Sequence, residues 1–493
     1  LCGGCKDQPV TVTMEKPVRV ATGQRIAADS KHGLQWRAVA CALGLLLATQ
    51  ALMAAPATQR KPEPNTLVPK GVMRYAPSPF PDRIVASPGQ EASSSFSVTW
   101  RTHADVRAPL LEVVVAGDSP DMGLPRQIVS RSRLLETENG IAGHHDVVVD
   151  GLQPDTLYAW RVQGNETWSP WMQLRTAAVP GVPVELLYFG DTQNKNASLT
   201  TRVVREAMRH APKATLALFA GDLVSGGDGE DDNEWGEWFD AGGALPTSMM
   251  VAPAIGNHEY FEEFEDTPQE RRVLGKHWPL QFALPANGAP GAELTTYWFD
   301  YQGIRIAVID GTSALDLGTA KAQAKWLDKV LADNPHRWSI VMTHQPFFSP
   351  RADRDNVQLR KYLLPVLQKH RVDLVLQGHD HVYARRSGTD SQHPTPVFVV
   401  SVTGAKQYRL SPEARSQMRP VGEDTQFFQI LRLAGDTLSY EARTATGRLY
   451  DAFELVDGGA AGKRLQEQPE GRIPERTCVR EATLKGRADR CWE

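Results

Sequence analysis

Hydrophobic positions along this chain follow two different patterns. From Phe96 to Val162 the large apolar residues recur every second position. Phe96, Val98 and Trp100 alternate with Ser97 and Thr99, and Tyr158, Trp160 and Val162 with Ala159 and Arg161. A period of two puts one side of each segment on a buried face, as in a half-buried strand. Ser87-Pro-Gly-Gln90, Ala116-Gly-Asp-Ser-Pro-Asp121 and Gly151-Leu-Gln-Pro-Asp-Thr156 supply turn chemistry between the runs, and no helical period precedes Thr176. The pattern predicts a small all-β sandwich over 81–178.

After Val179-Pro180-Gly181 the apolar runs become continuous and alternate with helical segments. Val184 to Phe189 ends in Gly190-Asp191, and Thr215 to Ala220 in Gly221-Asp222. Met250 to Ile255 ends in Gly256-Asn257-His258, Ser339 to Thr343 in His344, and Asp373 to Gln377 in Gly378-His379-Asp380-His381. Unbroken apolar runs are what strands buried on both faces look like. Ligands of open α/β sheets gather beyond the carboxyl ends of such strands. Five strands therefore bring Asp, Asp, Asn-His, His and His-x-His to one edge. Carboxylate, carboxamide and imidazole suit Zn, Fe or Mn rather than thiophilic ions. Six or seven donors exceed what one tetrahedral zinc takes. They suffice for two ions about 3.5–4 Å apart, the arrangement that clamps a phosphoryl group.

Taken in order, Gly190-Asp191, Gly221-Asp222, Gly256-Asn257-His258-Glu259, Thr343-His344 and Gly378-His379-Asp380-His381 resemble the motifs of calcineurin-like metallophosphoesterases. The preceding β domain resembles the fibronectin type III-like domain of the purple acid phosphatase branch. The likeness extends from Pro81 to about Leu455, with the phrases Gly151 to Tyr158 and Gly447 to Phe453. It implies an α/β catalytic domain over 182–455, built of two packed mixed β-sheets flanked by helices. By position, Asp191, Asp222 and His381 would hold a first ion. Asp222, Asn257, His344 and His379 would hold a second, with Asp222 bridging. His258 would contact the phosphate and assist the leaving oxygen, and a hydroxide held by the metals would be the nucleophile. The activity implied is phosphomonoester hydrolysis on a small phosphorylated substrate. A phosphodiesterase acting on cyclic nucleotides or glycerophosphodiesters is the alternative. A non-catalytic binding or adhesion protein is the rival of another class.

Some positions depart from that pattern. Purple members carry a ferric-binding Tyr three residues after the second Asp, where this chain has Ser225. A ferric tyrosinate is therefore not expected. The pair should be divalent (Mn, Zn or Fe), the protein colourless, and its activity nearer neutrality than that of purple relatives. Tyr383 would belong to packing rather than ligation. Gln193 stands two residues after Asp191, where it would be either an extra carboxamide ligand or a polar group of the turn. Arg351 and Arg354 occupy a stretch in which relatives carry phosphate-reading His residues, and they are candidates for substrate binding.

Composition adds the setting. Lys and Arg number 54 against 58 Asp and Glu, a net charge of −4, which disfavours a nucleic-acid partner. Arg37 precedes an apolar run from Ala38 to Met53, followed by the small residues Ala54 and Ala55. This reads as a secretory signal over 1–54, cleaved after Ala54 and too short for a stable membrane span. Residues 1–31 lie upstream of a usual signal and suggest an over-extended reading frame. Export to a periplasmic or extracellular space follows, with oligomeric state left open. Removing 1–54 leaves 48 basic against 55 acidic residues. A Pro-rich linker is expected over 55–80, and a tail over 456–493 whose Cys478 and Cys491 fit one disulfide. The acidic run Asp228 to Asp232 reads as a solvated loop. Adjacent His144 and His145 would point to opposite faces of a strand. His210, His277, His336, His370 and His393 read as surface or satisfied residues.

Overall fold

A computed structural model describes residues 64–69, 71–225, 231–264, 267–352, 354–387, 396–459 and 462–478. By its contacts the chain divides at Glu63/Pro64, and every described residue lies in the second unit. The signal region therefore falls outside the described residues, as do His393 and Cys491. Among the described residues no helix is long and apolar enough to cross a membrane.

The period-two segment forms two antiparallel four-stranded sheets. One orders Asp82–Pro88, Phe96–His103, Gly140–Val149 and Arg131–Thr137; the other orders Arg126–Val129, Leu110–Val115, Leu157–Val162 and Met172–Arg175. Phe96, Val98 and Trp100 meet Leu111, Val113, Trp160 and Val162 in the shared core, as the alternation requires. His144 and His145 are both buried on the strand Gly140–Val149.

The continuous apolar runs become strands of two mixed seven-stranded sheets. In the first, Met250–Pro253, Leu216–Phe219 and Val184–Phe189 are parallel, followed by antiparallel Phe427–Ala434, Thr437–Thr444, Leu449–Asp457 and Lys463–Glu467. In the second, Ile304–Val308, Trp338–Thr343, Leu374–Gln377 and Val397–Val400 run parallel. Each such strand is buried on both sides. Leu186 and Tyr188 join the core between the sheets, while Leu187 and Phe189 pack under the outer helices Thr201–His210 and Asp232–Gly242. On the far side Leu327 and Leu331 of Ala320–Ala332 cover Val341 and Val375. Two packed mixed sheets flanked by helices are thus the architecture.

Two expected boundaries differ. The sheet runs on through Asp457 and adds Lys463–Glu467, and beyond it Glu475 accepts from Val421 N at 3.1 Å. Residues 456–478 are therefore docked rather than a free tail. Cys478 is buried and disulfide-bonded. Residues 64–80, expected as linker, pack onto the helix Asp232–Gly242. Leu67 and Val68 donate their N–H groups to Glu237, and the Tyr75 hydroxyl reaches Asp240 at 2.7 Å.

Candidate metal centre

Parallel register places the carboxyl ends of Val184–Phe189, Leu216–Phe219 and Met250–Pro253 on one edge. It does the same for Trp338–Thr343 and Leu374–Gln377 in the facing sheet. The turns leaving these strands are unusually constrained. Asp222, His379 and His381 all have left-handed backbones, with φ of 47°, 73° and 48°. Such conformations cost non-glycine residues energy and persist only where neighbours fix them. Glu259 does much of the fixing. Its buried carboxylate accepts N–H groups from Asp222 (3.1 Å), Leu223 (2.7 Å) and Gly256 (2.6 Å). The turns also press on one another. A Cβ on Gly256 would lie 2.1 Å from Asp222 Oδ1, and one on Gly378 would lie 2.2 Å from Asp191 Oδ1. Only glycine leaves room for those carboxylates. The same oxygens accept backbone N–H groups, Asp222 Oδ1 from His258 (3.0 Å) and Asp191 Oδ1 from His379 (2.6 Å).

The remaining donor atoms converge. Asp222, His344 and His379 form one group able to hold an ion, and Asp191, Asp222 and His381 form another; Asp222 is common to both. His344 Nε2 lies 3.1 Å from Asp222 Oδ2, 3.1 Å from Asn257 Oδ1 and 3.0 Å from His379 Nδ1. His381 Nε2 is 3.2 Å from Asp191 Oδ2. Backbone carbonyls set the ring orientations, Ala220 O for His344 Nδ1 (2.8 Å) and Lys406 O for His381 Nδ1 (2.9 Å). That leaves the opposite nitrogens facing inward, the usual arrangement of metal-bound imidazoles.

Charge is poorly balanced here without cations. Burial pushes Asp191 up to about 7; His344 opposes this and Asp222 reinforces it. Burial would lower His344, yet Asp222 and Asp191 lift it to about 9. Burial would raise Asp222, but the His344 and His258 imidazoles hold it well below the usual carboxylate range. His379 and His381 are pushed well below the ordinary histidine value, chiefly by burial. Among the described residues, Asp191 Oδ2 and Gln193 Oε1 are buried with no hydrogen-bond partner. Crowded carboxylates, the neutral imidazoles of His379 and His381 and orphaned oxygens fit a pair of cations.

Asn257 and His258 stand on the short turn Asn257–Glu259, with His258 partly exposed. Ser225 is occupied elsewhere, its Oγ accepting from Asn65 and Asn194 (3.0 Å each) and lying 3.3 Å from Glu234 Oε1. Tyr383 is buried away from the donors, its hydroxyl on Asp451 Oδ2 at 2.7 Å. Arg354, a candidate for substrate binding, stands beside the His-x-His turn. Its guanidinium pairs with Asp380 and reaches His379 O at 3.4 Å, so it buttresses the His-x-His turn. Arg351 lies over the Tyr408 ring at 4.2 Å, and that ring packs 4.7 Å from His381.

Sequence reasoning missed Glu259 and Asp232. The solvated loop expected at 228–232 is corrected where it is described: Asp231 caps the helix Asp232–Gly242, and Asp232 is fully buried. Asp232 accepts from Arg83 (2.5 and 2.8 Å), Arg101 (3.1 Å) and Asn139 (3.0 Å) of the β-sandwich, and His277 lies at 3.2 Å.

Two facing mixed sheets with donors at their strand ends define a metallophosphoesterase fold, and residues 185–383 match the calcineurin-like phosphoesterase family. Residues 81–176 match the purple acid phosphatase N-terminal domain. The chain thus carries a calcineurin-like phosphoesterase domain preceded by a purple acid phosphatase N-terminal domain. An uncharacterized protein of Mycobacterium tuberculosis is 26% identical over 353 residues, which is 63% of this chain and 64% of its own length. An Fe(3+)-Zn(2+) purple acid phosphatase of Arabidopsis thaliana is 27% identical over 261 residues, 49% of this chain and 52% of its own. The chain thus spans less than two thirds of these relatives. A purple acid phosphatase from yellow lupin seeds shares the fold with a TM-score of 0.63, at 18% identity over 76% of this chain and 74% of that one.

Proposed function

We propose that this chain is an exported hydrolase of phosphoric esters that works with two divalent ions and acts on small phosphomonoesters. The observation carrying the reading is the pair of donor groups that share Asp222. Asp191, Asp222 and His381 would hold the first ion; Asp222, Asn257, His344 and His379 the second. Such a pair supplies positive charge to the phosphoryl oxygens and activates water for attack. His258, beside Asp222, gives a proton to the departing oxygen, a task suited to imidazole. Glu259 keeps the Asp222 and Gly256 turns in place while this happens. Export is supported by the basic-then-apolar segment from Arg37 to Met53 and by the disulfide at Cys478, a bond kept in oxidising compartments. Hydrolysis of p-nitrophenyl phosphate and of its bis-ester, with and without added Mn²⁺ or Zn²⁺, tests the activity. The monoester should turn over faster, and only with metal. Preference for the bis-ester would favour a phosphodiesterase. No hydrolysis of either by metal-loaded protein would leave a binding protein.

A further inference from the structure

We propose that Gln193 is an oxygen ligand of the first ion, a role it takes up by turning its side-chain amide over. The assignment rests on the two-ion reading above. Gln193 is fully buried, and its backbone is held from two sides. Its N–H donates to Asp222 O at 3.0 Å, and its carbonyl lies so close to Gly404 that a Cβ there would stand 2.4 Å away. The side chain has one direction left to it, into the first donor group. Its Nε2 sits 2.7 Å from Asp222 Oδ2 and 3.2 Å from His381 Nε2, the nitrogen that also faces Asp191 Oδ2 at 3.2 Å. The end of the amide therefore lies among the donors of all three residues in that group.

The other end of the amide explains how it changes role. Oε1 is buried and, among the described residues, has no hydrogen-bond partner. A buried acceptor left unpaired costs about 1–3 kcal/mol. Without a cation the NH₂ end faces the Asp222 carboxylate, because an amide oxygen there would meet like charge. A cation reverses that preference. Rotation about the terminal torsion, which is broad and roughly two-fold, exchanges nitrogen and oxygen in nearly the same place. It breaks the Nε2 bond to Asp222 and gives the orphaned oxygen a partner. Among the described residues no hydrogen bond holds the oxygen where it now is. Ser225 does not compete for the position, since Asn65, Asn194 and Glu234 surround its hydroxyl. A neutral carboxamide adds a hard donor without adding charge, which suits a divalent ion at a site already holding two carboxylates.

The alternative is that Gln193 only orients Asp222 by hydrogen bonding, and cobalt separates the two. Metal-free wild type, Gln193→Met, Gln193→Glu and, as reference, Asp222→Ala are titrated with Co²⁺, followed by calorimetry and visible absorption. Wild type should take up two ions. Gln193→Met has similar length but no oxygen; it should keep one ion at wild-type affinity and bind the other at least tenfold more weakly. Its cobalt bands should grow stronger, as they do when coordination number falls. Gln193→Glu restores an oxygen and should recover both the affinity and the wild-type spectrum. Two ions bound normally by Gln193→Met would overturn the assignment. So would weaker binding with an unchanged spectrum per bound ion, the mark of an orienting role. Fewer than two ions in wild type would overturn the two-ion reading itself, and this assignment with it.

Discussion

Replacing Asp222 by alanine removes the carboxylate common to both donor groups, so metal and activity are expected to disappear together, as elemental analysis and a phosphatase assay would show. His258→Ala should keep both ions while turnover falls by about 10²–10⁴, the usual worth of a positioned acid. A His258 variant that loses metal but keeps its turnover would contradict that division of labour. Glu259→Ala leaves three buried N–H groups without acceptors, at about 1–3 kcal/mol each. A drop of several degrees or more in the unfolding temperature of the metal-free protein is expected. Ser225 bears on colour. Its hydroxyl is engaged by Asn65 and Asn194, and Tyr383 lies on Asp451. The native-metal protein should show no strong band in the green; such a band would mean that a tyrosine reaches iron. The convergence of the donor residues could be read in advance because each follows a buried apolar strand. Glu259 could not. In sequence it is one acidic residue after His258, and its role comes from amides on turns that only the fold brings together.

The helix Asp232–Gly242 shows what local pattern leaves out. An acidic run beside glycines looks solvated, yet the arginines that neutralise Asp232 stand 149 and 131 residues earlier in the chain. Nothing in a short window reports such a pairing. Burial alone would raise the Asp232 pKa, but Arg83, then His277 and Arg101, hold it far below the model-compound value of 3.8. A depressed folded-state pKa contributes stability above the unfolded value and loses it as pH falls. Asp232→Asn leaves the buried Arg83 guanidinium without a carboxylate, while Arg101 keeps Asp82, and should cost about 3–5 kcal/mol at pH 7. The gap between wild type and variant should narrow below about pH 4. Urea midpoints at pH 7 and pH 3 measure this, and an equal gap at both would refute it. The same helix reaches the centre from its other side. Glu234 bonds Ser225, and Trp238 Nε1 donates to Thr192 Oγ1 at 3.2 Å. It thereby joins the sandwich to the turn that carries Asp191.

At the scale of the molecule, the change of hydrophobic period near residue 180 was enough to separate sandwich from α/β domain. Strands with one wet face alternate, whereas strands between a second sheet and helices do not. What the pattern could not show is how the sheet ends and what lies across it. Lys463–Glu467 has the exposure of an edge strand, with little apolar signal. Pro-rich 64–80 lacks any period, although it is fixed to the catalytic domain by hydrogen bonds. Asn65 bonds Asn194, Ser225 and the backbone of Lys195, next to Gln193. Anyone trimming this protein for expression would be drawn to residue 81, where recognisable domain sequence begins. A chain cut there loses Asn65 and the amides bound by Glu237, and so loosens the wall behind the first ion. We expect that trimmed protein to fold but to hold metal less tightly than one starting at or before Pro64, a difference that competition with a chelator would reveal. An affinity tag is accordingly better placed well upstream of Asn65, with enough slack to leave that asparagine seated.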